Sequence, residues 1–291
     1  MKNRFKIIML GLFCVLALSS CQQKDLANTK PEGNTEETKK EAEQKTEEKT
    51  ENKTEEKTEN KAEQNTETNN QEENKSAEEI DKDQLLEEIK TANEMIDNVD
   101  FDAFLDIMSN NNVKTKTNIQ HMTGNVEYEP KSHNIKKATF QRESNDGFLV
   151  KFEFLGDKDH TFRQTTINTK TKNEDVKEQK HVDYKMYPDY YTLLDQIYMM
   201  KDDLVIEEKQ DEYVMTLRSQ NVDLLGIFQD SYSLNLTGVS QSEVKKDLEI
   251  SFDKNTKYFQ KIRLKFNYSG EKGKINMDIK TTYTNHKKTV I

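Results

Sequence analysis

From Phe148 onward, apolar side chains return at every second position, and that alternation narrows the possible folds more than any other feature. Phe148, Val150, Phe152 and Phe154 hold one phase, with Leu149, Lys151, Glu153 and Leu155 in the other. Val182, Tyr184 and Met186 repeat the pattern, as do Tyr213, Met215 and Leu217. The C-terminal stretch is the most regular. Leu248, Ile250 and Phe252 lead to a turn at Asp253–Lys257, and Ile262, Leu264, Phe266 and Tyr268 lead to another at Ser269–Gly273. Ile275, Met277, Ile279 and Tyr283 close the series, and Asp146-Gly147 supplies a hairpin signal ahead of Phe148. Successive strand residues face opposite sides, so these runs predict antiparallel strands with one face buried and one wet. Weaker runs at Thr115–Met122, Ile135–Arg142, Thr161–Thr169 and Leu204–Glu208 predict more of the same.

Helical spacing appears in three places. Ser76-Ala-Glu-Glu79 has the form of a capping box, and Leu85, Ile89, Ala92, Ile96 and Val99 then share one helical face. Phe101, Phe104, Leu105 and Met108 extend this spacing or begin a second short helix, up to Asn110-Asn111-Asn112. Pro188 can open another helix, with Tyr191, Leu194, Ile197 and Tyr198 inward. A third starts near Asn221 or Asp223 and carries Leu224, Leu225, Ile227 and Phe228. The predicted class is therefore α+β. A large curved antiparallel sheet, a half-barrel of about nine or more strands, carries an N-terminal helix and two inserted helices over its concave face.

Apart from the Ser76–Glu79 box, all of this lies in residues 80–291, a length that supports one hydrophobic core. What precedes it is of another kind. Lys2, Arg4 and Lys6 lead into an apolar run from Ile7 to Leu18, shorter than the ~20 residues a membrane-spanning helix needs. Residues 1–20 have the make-up of a cleaved signal peptide. The run ends in Leu18-Ser19-Ser20-Cys21, which resembles the lipobox of bacterial lipoproteins. That resemblance implies cleavage before Cys21, a diacylglyceryl group on its sulfur and attachment to the extracytoplasmic face of the cell membrane. Residues 21–79 form the lipidated end and a tether nearly devoid of large apolar side chains, in which Lys-Thr-Glu-Glu-Lys-Thr-Glu-Asn occurs twice from Lys45 to Asn60. Glu47, Glu51, Glu55 and Glu59 would stack on one helical row and Lys45, Lys49, Lys53 and Lys57 on another. Like charges four apart destabilise a helix, so the tether is expected to be a disordered spacer with an r.m.s. span of roughly 40 Å.

The formal charge of −10 falls to −13 without the leader's three cations. A net-acidic surface opposes association with nucleic acid or with anionic lipid headgroups. Cys14 and Cys21 are the only cysteines, so residues 80–291 contain no disulfide, thiol nucleophile or thiolate metal site.

The domain as a whole resembles the LolA/LppX-like half-barrel lipoproteins, and more closely their relatives from low-GC Gram-positive bacteria. The matching pieces are the Leu85–Val99 helix, the Met186-Tyr187-Pro188 junction and the Leu248–Tyr283 meander, which ends in Tyr-Thr-Asn at 283–285. The resemblance implies a concave apolar surface able to take acyl chains or a lipidated partner.

His121, His133, His160, His181 and His286 are scattered without helical pairing, and neither a Gly-x-Ser-x-Gly elbow nor a glycine-rich phosphate loop occurs in the domain. A non-enzymatic, monomeric protein without metal or cofactor is expected. The densest group of amphipathic and adaptable side chains surrounds Pro188, and Tyr187, Tyr191, Leu194, Tyr198 and Met199 are the candidate ligand-binding residues. Two functions follow. One is a membrane-anchored module holding a lipid or lipidated protein in a concave cavity. The other is a scaffolding lipoprotein with a filled interior and an exposed docking patch near Tyr190 or Phe228.

Overall fold

The structure, a computed structural model, describes residues 14–17, 81–111, 113–237 and 239–289. Cys21, the tether and the Ser76–Glu79 box lie outside the described residues. In the leader, Cys14–Ala17 pairs in parallel with Leu234–Thr237, apart from the main sheet.

Eleven strands make that sheet: β1 (Ile96–Asn110), β2 (Thr115–Tyr128), β3 (Ile135–Ser144), β4 (Phe148–Phe154), β5 (Phe162–Asn168), β6 (Glu174–Gln179), β7 (Leu204–Glu208), β8 (Glu212–Leu217), β9 (Lys245–Asp253), β10 (Phe259–Gly270) and β11 (Gly273–Lys288). All neighbours are antiparallel, in the order β6-β5-β4-β3-β2-β1-β11-β10-β9-β8-β7. Three helices accompany it: α1 (Lys82–Asn93), α2 (Tyr190–Met199) and α3 (Leu224–Tyr232). The α+β class, the large antiparallel sheet and the two inserted helices agree with the alternation in the sequence.

This order explains where the helices sit. Neighbouring strands are consecutive in sequence everywhere except at β1–β11, where the first and last strands pair at the centre of the sheet. Consecutive β6 and β7 lie at opposite edges, so residues 180–203 must cross from one edge to the other, and they bring α2 across the inner face. Odd positions from Val99 to Ile107 on β1, and even ones from Ile262 to Tyr268 on β10, are buried against the helices. The outer face carries charge pairs such as Arg263–Asp278, where Nε and Nη2 donate over 2.9 and 2.6 Å.

Gly124 sits where two strands approach closely. It pairs with Phe140 on the neighbouring strand, and a Cβ built on it would lie 2.2 Å from the Phe140 Cβ and 2.5 Å from the Thr139 carbonyl oxygen. Opposed Cβ atoms are ordinarily ~4.5–5.5 Å apart. β2 and β3 therefore close on each other here as only a residue without a side chain permits.

Three expectations are corrected. The predicted Leu85–Val99 helix stops at Asn93, and its N-cap is Asp81, whose side chain accepts from the Gln84 amide at 3.0 Å. Phe101–Met108 is strand, not helix. Val99, Phe101, Ala103, Leu105 and Ile107 are buried, whereas Phe104 and Met108 stand exposed at 42% and 39%, so period two prevails over the helical period. Val182, Tyr184 and Met186 alternate inward as expected but pair with no strand. They lie over the strand face instead, the Tyr184 ring stacking 4.9 Å from Phe154 and 5.4 Å from Phe162.

Candidate functional site

The residues proposed from sequence as a cavity rim do not share one surface. Tyr191 and Leu194 are buried, Tyr187 and Tyr198 are half-buried, and Met199 is 75% exposed. Tyr190 and Phe228, expected beside an exposed patch, are completely buried, which removes both as docking residues. Their aromatic bulk fills the space between helix and sheet.

What holds α2 there is a set of buried polar contacts. Asp189 caps its N-terminus, accepting from the Thr192 amide and hydroxyl at 2.8 Å each, and from the Tyr128 hydroxyl at 3.0 Å. The Tyr128 oxygen accepts in turn from the Tyr190 amide at 3.3 Å. Burial pushes the Asp189 carboxyl above its ordinary pKa, against the opposing pull of those hydrogen bonds. Asn93, at the end of α1, joins three elements. Its Nδ2 donates to the Ile89 and Lys257 carbonyls at 2.6 and 2.9 Å, and its Oδ1 accepts from the Phe259 amide at 3.1 Å and from the Tyr190 hydroxyl. Tyr191 donates to the Asn93 and Ile96 carbonyls, while its ring stacks on His133 at 3.7 Å. The Tyr198 and Tyr283 hydroxyls are buried with no hydrogen-bond partner among the described residues. Burial raises the pKa of both phenols.

The helices cover the inner face unevenly. On the C-terminal half, Met215, Ile250, Ile262, Leu264 and Phe266 have no exposed area. On β3–β5, the inward positions Arg142, Ser144, Gln164 and Thr166 remain partly accessible above buried Phe140, Val150 and Phe152. Arg142 is inward by register, opposite Met122 on one side and Val150 on the other. Its guanidinium lies 5.7 Å from the centroid of the Phe152 ring. Burial lowers the Arg142 pKa, with Asp146 the carboxylate acting against that shift. Beside it, Gln120 is 7% exposed, and its Oε1 has no partner among the described residues. The inner side of β3–β5 is thus an aromatic floor with a cation and polar groups along it.

No protein-family model matches the sequence, and no curated protein matches it. Solved structures similar to this chain include an outer membrane lipoprotein-sorting protein domain from Vibrio parahaemolyticus, at 9% identity and a TM-score of 0.21, covering 71% of this chain and 92% of that one. A DUF1329 family protein from Desulfovibrio piger is 7% identical with a TM-score of 0.22, covering 72% and 92%. A LolA superfamily protein from Nitrosomonas europaea is 9% identical with a TM-score of 0.18, covering 73% and 96%.

Other surfaces offer less chemistry. A depression of about 460 Å³ lies among Thr123, Gln141, Lys151, Glu153 and Thr165, on the outer face. One of about 290 Å³ lies among Thr216, Gln220, Glu249, Arg263 and Lys265, also outward. Among the described residues no three His, Cys, Asp or Glu side chains gather to hold a metal ion, and no helix is long and apolar enough to cross a membrane.

Sequence reading missed Asn93, Tyr128, Asp189 and Arg142. A signal for the last was present: Arg142 falls in phase with Ala138 and Phe140, so a charge occupies an apolar phase of the alternation.

Proposed function

We propose that this protein is a lipoprotein anchored through Cys21 to the extracytoplasmic face of the cell membrane, and that its domain binds a hydrophobic ligand, a lipid or lipidated partner, on the inner face of the sheet. The observation that supports this reading is the inner side of β3–β5, where Arg142, Ser144, Gln164 and Thr166 stay partly accessible over buried Phe140, Val150 and Phe152 while the opposite half is packed shut. On this reading Tyr191 and Leu194 hold α2 in place, and Tyr187, Tyr198 and Met199 border the ligand. The tether spaces the domain from the headgroups. The domain acts as a non-enzymatic monomer without a cofactor. Mass spectrometry of organic extracts from the folded mature chain tests the ligand. Co-purifying lipid, and a melting temperature raised by added amphiphile, are expected; absence of both would refute it. Radiolabelled palmitate entering the wild type but not Cys21→Ala tests the anchor.

The fully packed C-terminal half favours a second reading, a scaffolding lipoprotein that docks a protein on its outer surface. Crosslinking on intact cells would then recover one reproducible protein partner.

A further inference from the structure

Two hairpin tips meet at one end of the sheet. Asn110 pairs with Thr115 across the β1–β2 hairpin and with Lys274 on β11, and β10 turns into β11 beside it. The approach is close, since a Cβ on Gly273, whose φ is +122°, would overlap the Asn110 carbonyl oxygen. Val113 stands at the crest of the first tip, 91% exposed. Asn111 fixes that turn, its Oδ1 accepting from the Val113 and Lys114 amides at 3.3 and 2.9 Å. Met108 is exposed on the flank. Residues 108–117 and 267–276 carry Lys114, Lys116, Lys272 and Lys274 against Glu271 alone, a net charge of +3 in a chain of −10. All four lysines are exposed.

We propose that these paired tips rest on the anionic lipid surface of the membrane, with the lysines at the headgroup phosphates and Val113 among the headgroups. This goes beyond the ligand-binding reading and takes only its setting from the Cys21 anchor. An apolar crest rimmed by lysines suits a surface whose charge lies outermost and whose apolar part lies beneath. The net charge of the chain opposes such contact, but distance decides. β1 has fifteen residues and is roughly 50 Å long, whereas salt at ~0.1 M screens charge over ~10 Å, so acids at the far end of the sheet do not reach the bilayer. The path of the chain agrees. α1 ends towards that far end, where Asn93 bonds Lys257 and Phe259, and begins beside Leu204, whose carbonyl accepts from the Lys82 Nζ at 3.0 Å. Leu204 pairs with Leu217, at the end of β8 away from the β9–β10 turn. The chain leading back to Cys21 therefore leaves α1 on the side facing the tips.

The test uses the mature chain with Cys21→Ser, which reads the surface without the anchor. Sedimentation with vesicles of equal parts phosphatidylglycerol and phosphatidylcholine should retain it, and retention should fall as salt is raised. Vesicles of phosphatidylcholine alone should not retain it. Lys114→Ser combined with Lys274→Ser should lower the partition coefficient by about tenfold or more. Lys158→Ser combined with Lys209→Ser removes the same charge from the β4–β5 and β7–β8 turns at the other end, and should change it by less than about twofold. The chain has no tryptophan, so Val113→Trp supplies a single reporter at an exposed position, and its emission should move to shorter wavelength on the anionic vesicles. Absence of retention, equal retention by both vesicles, equal loss from the two lysine pairs, or unshifted emission from retained protein would each overturn the proposal. None of these results bears on palmitate incorporation at Cys21 or on lipid in organic extracts, so the function proposed above stands or falls separately.

Discussion

Replacing Asn93 with leucine should cost more stability than any surface substitution in the protein, because four hydrogen bonds converge on its amide. Leucine keeps the branch at Cγ and is the larger side chain, so no cavity opens and any overpacking adds to the loss. The Phe259 amide and the Tyr190 hydroxyl lose their acceptor, and the Lys257 carbonyl loses a donor. The Ile89 carbonyl loses one as well, but sits within α1. Asn93 is 1% exposed, and Tyr190 and Phe259 have no exposed area, so water does not replace what is removed. An orphaned buried polar group costs about 1–3 kcal/mol. The tyrosine hydroxyl can rotate, and the Lys257 carbonyl sits in a turn, so the two lesser losses count at the low end. The total comes to about 3–4 kcal/mol, a sizeable part of the ~5–15 kcal/mol available to a domain. With a urea slope of about 2–3 kcal/mol/M, the midpoint should fall by roughly 1–2 M. Urea unfolding followed by far-UV circular dichroism measures this, and a cycle with Tyr190→Phe separates the Asn93–Tyr190 coupling from the rest. A loss below about 1 kcal/mol would show that Asn93 does not join α1 to α2 and the β9–β10 hairpin as described.

Two further changes probe the sheet and the cap. Gly124→Ala should destabilise by about 1–3 kcal/mol despite the better strand propensity of alanine, since the new methyl meets the Phe140 backbone and Cβ; equal or greater stability in thermal melts would mean the sheet is not creased there. Asp189 has a folded pKa above its unfolded one, so ionisation costs more in the folded state, and the penalty grows as pH rises from about 4 through the folded value. Relative to Asp189→Asn, the wild type should therefore lose stability over that interval and then level off; a relative gain with rising pH in urea titrations would reverse the assignment of burial as the dominant cause.

How legible the fold was depends on where burial and periodicity agree. On β9–β11 they coincide, with large apolar residues on one phase and lysine, arginine or aspartate on much of the other, and the strands and turns follow from the residues alone. On β1 they diverge. Asp-Phe-Asp-Ala-Phe-Leu-Asp-Ile-Met contains apolar residues in both phases, so a helical subset at 101, 104, 105 and 108 is as easily drawn as a strand subset at 101, 103, 105 and 107. β1 forms a strand because β2 and β11 flank it on both sides, and the β11 pairing joins residues far apart in the chain. The polar contacts that hold α2 have the same long-range origin. Asn93 and Tyr190, or Tyr128 and Asp189, meet only after the sheet has formed, and no local spacing marks them. β6, with six exposed residues and four charges among them, carries no inward apolar phase to reveal it. Its charges suit an edge that must not recruit another strand.

The same register that exposes the error on β1 makes the inner face of β3–β5 informative. A sheet stabilised only by packing gains most when every inward position is apolar, as on β10 with Ile262, Leu264, Phe266 and Tyr268. β3 and β5 depart from that with Arg142, Ser144, Gln164 and Thr166, each on the inward phase and each incompletely covered. Turning those positions to leucine would bury apolar area at no cost in hydrogen bonding if nothing else touched them. A face that keeps a cation and polar groups above buried phenylalanines is poorly suited to being core and well suited to meeting a molecule with both an apolar body and a polar end. Because β6 and β7 lie at opposite edges, pairing does not close the sheet on itself.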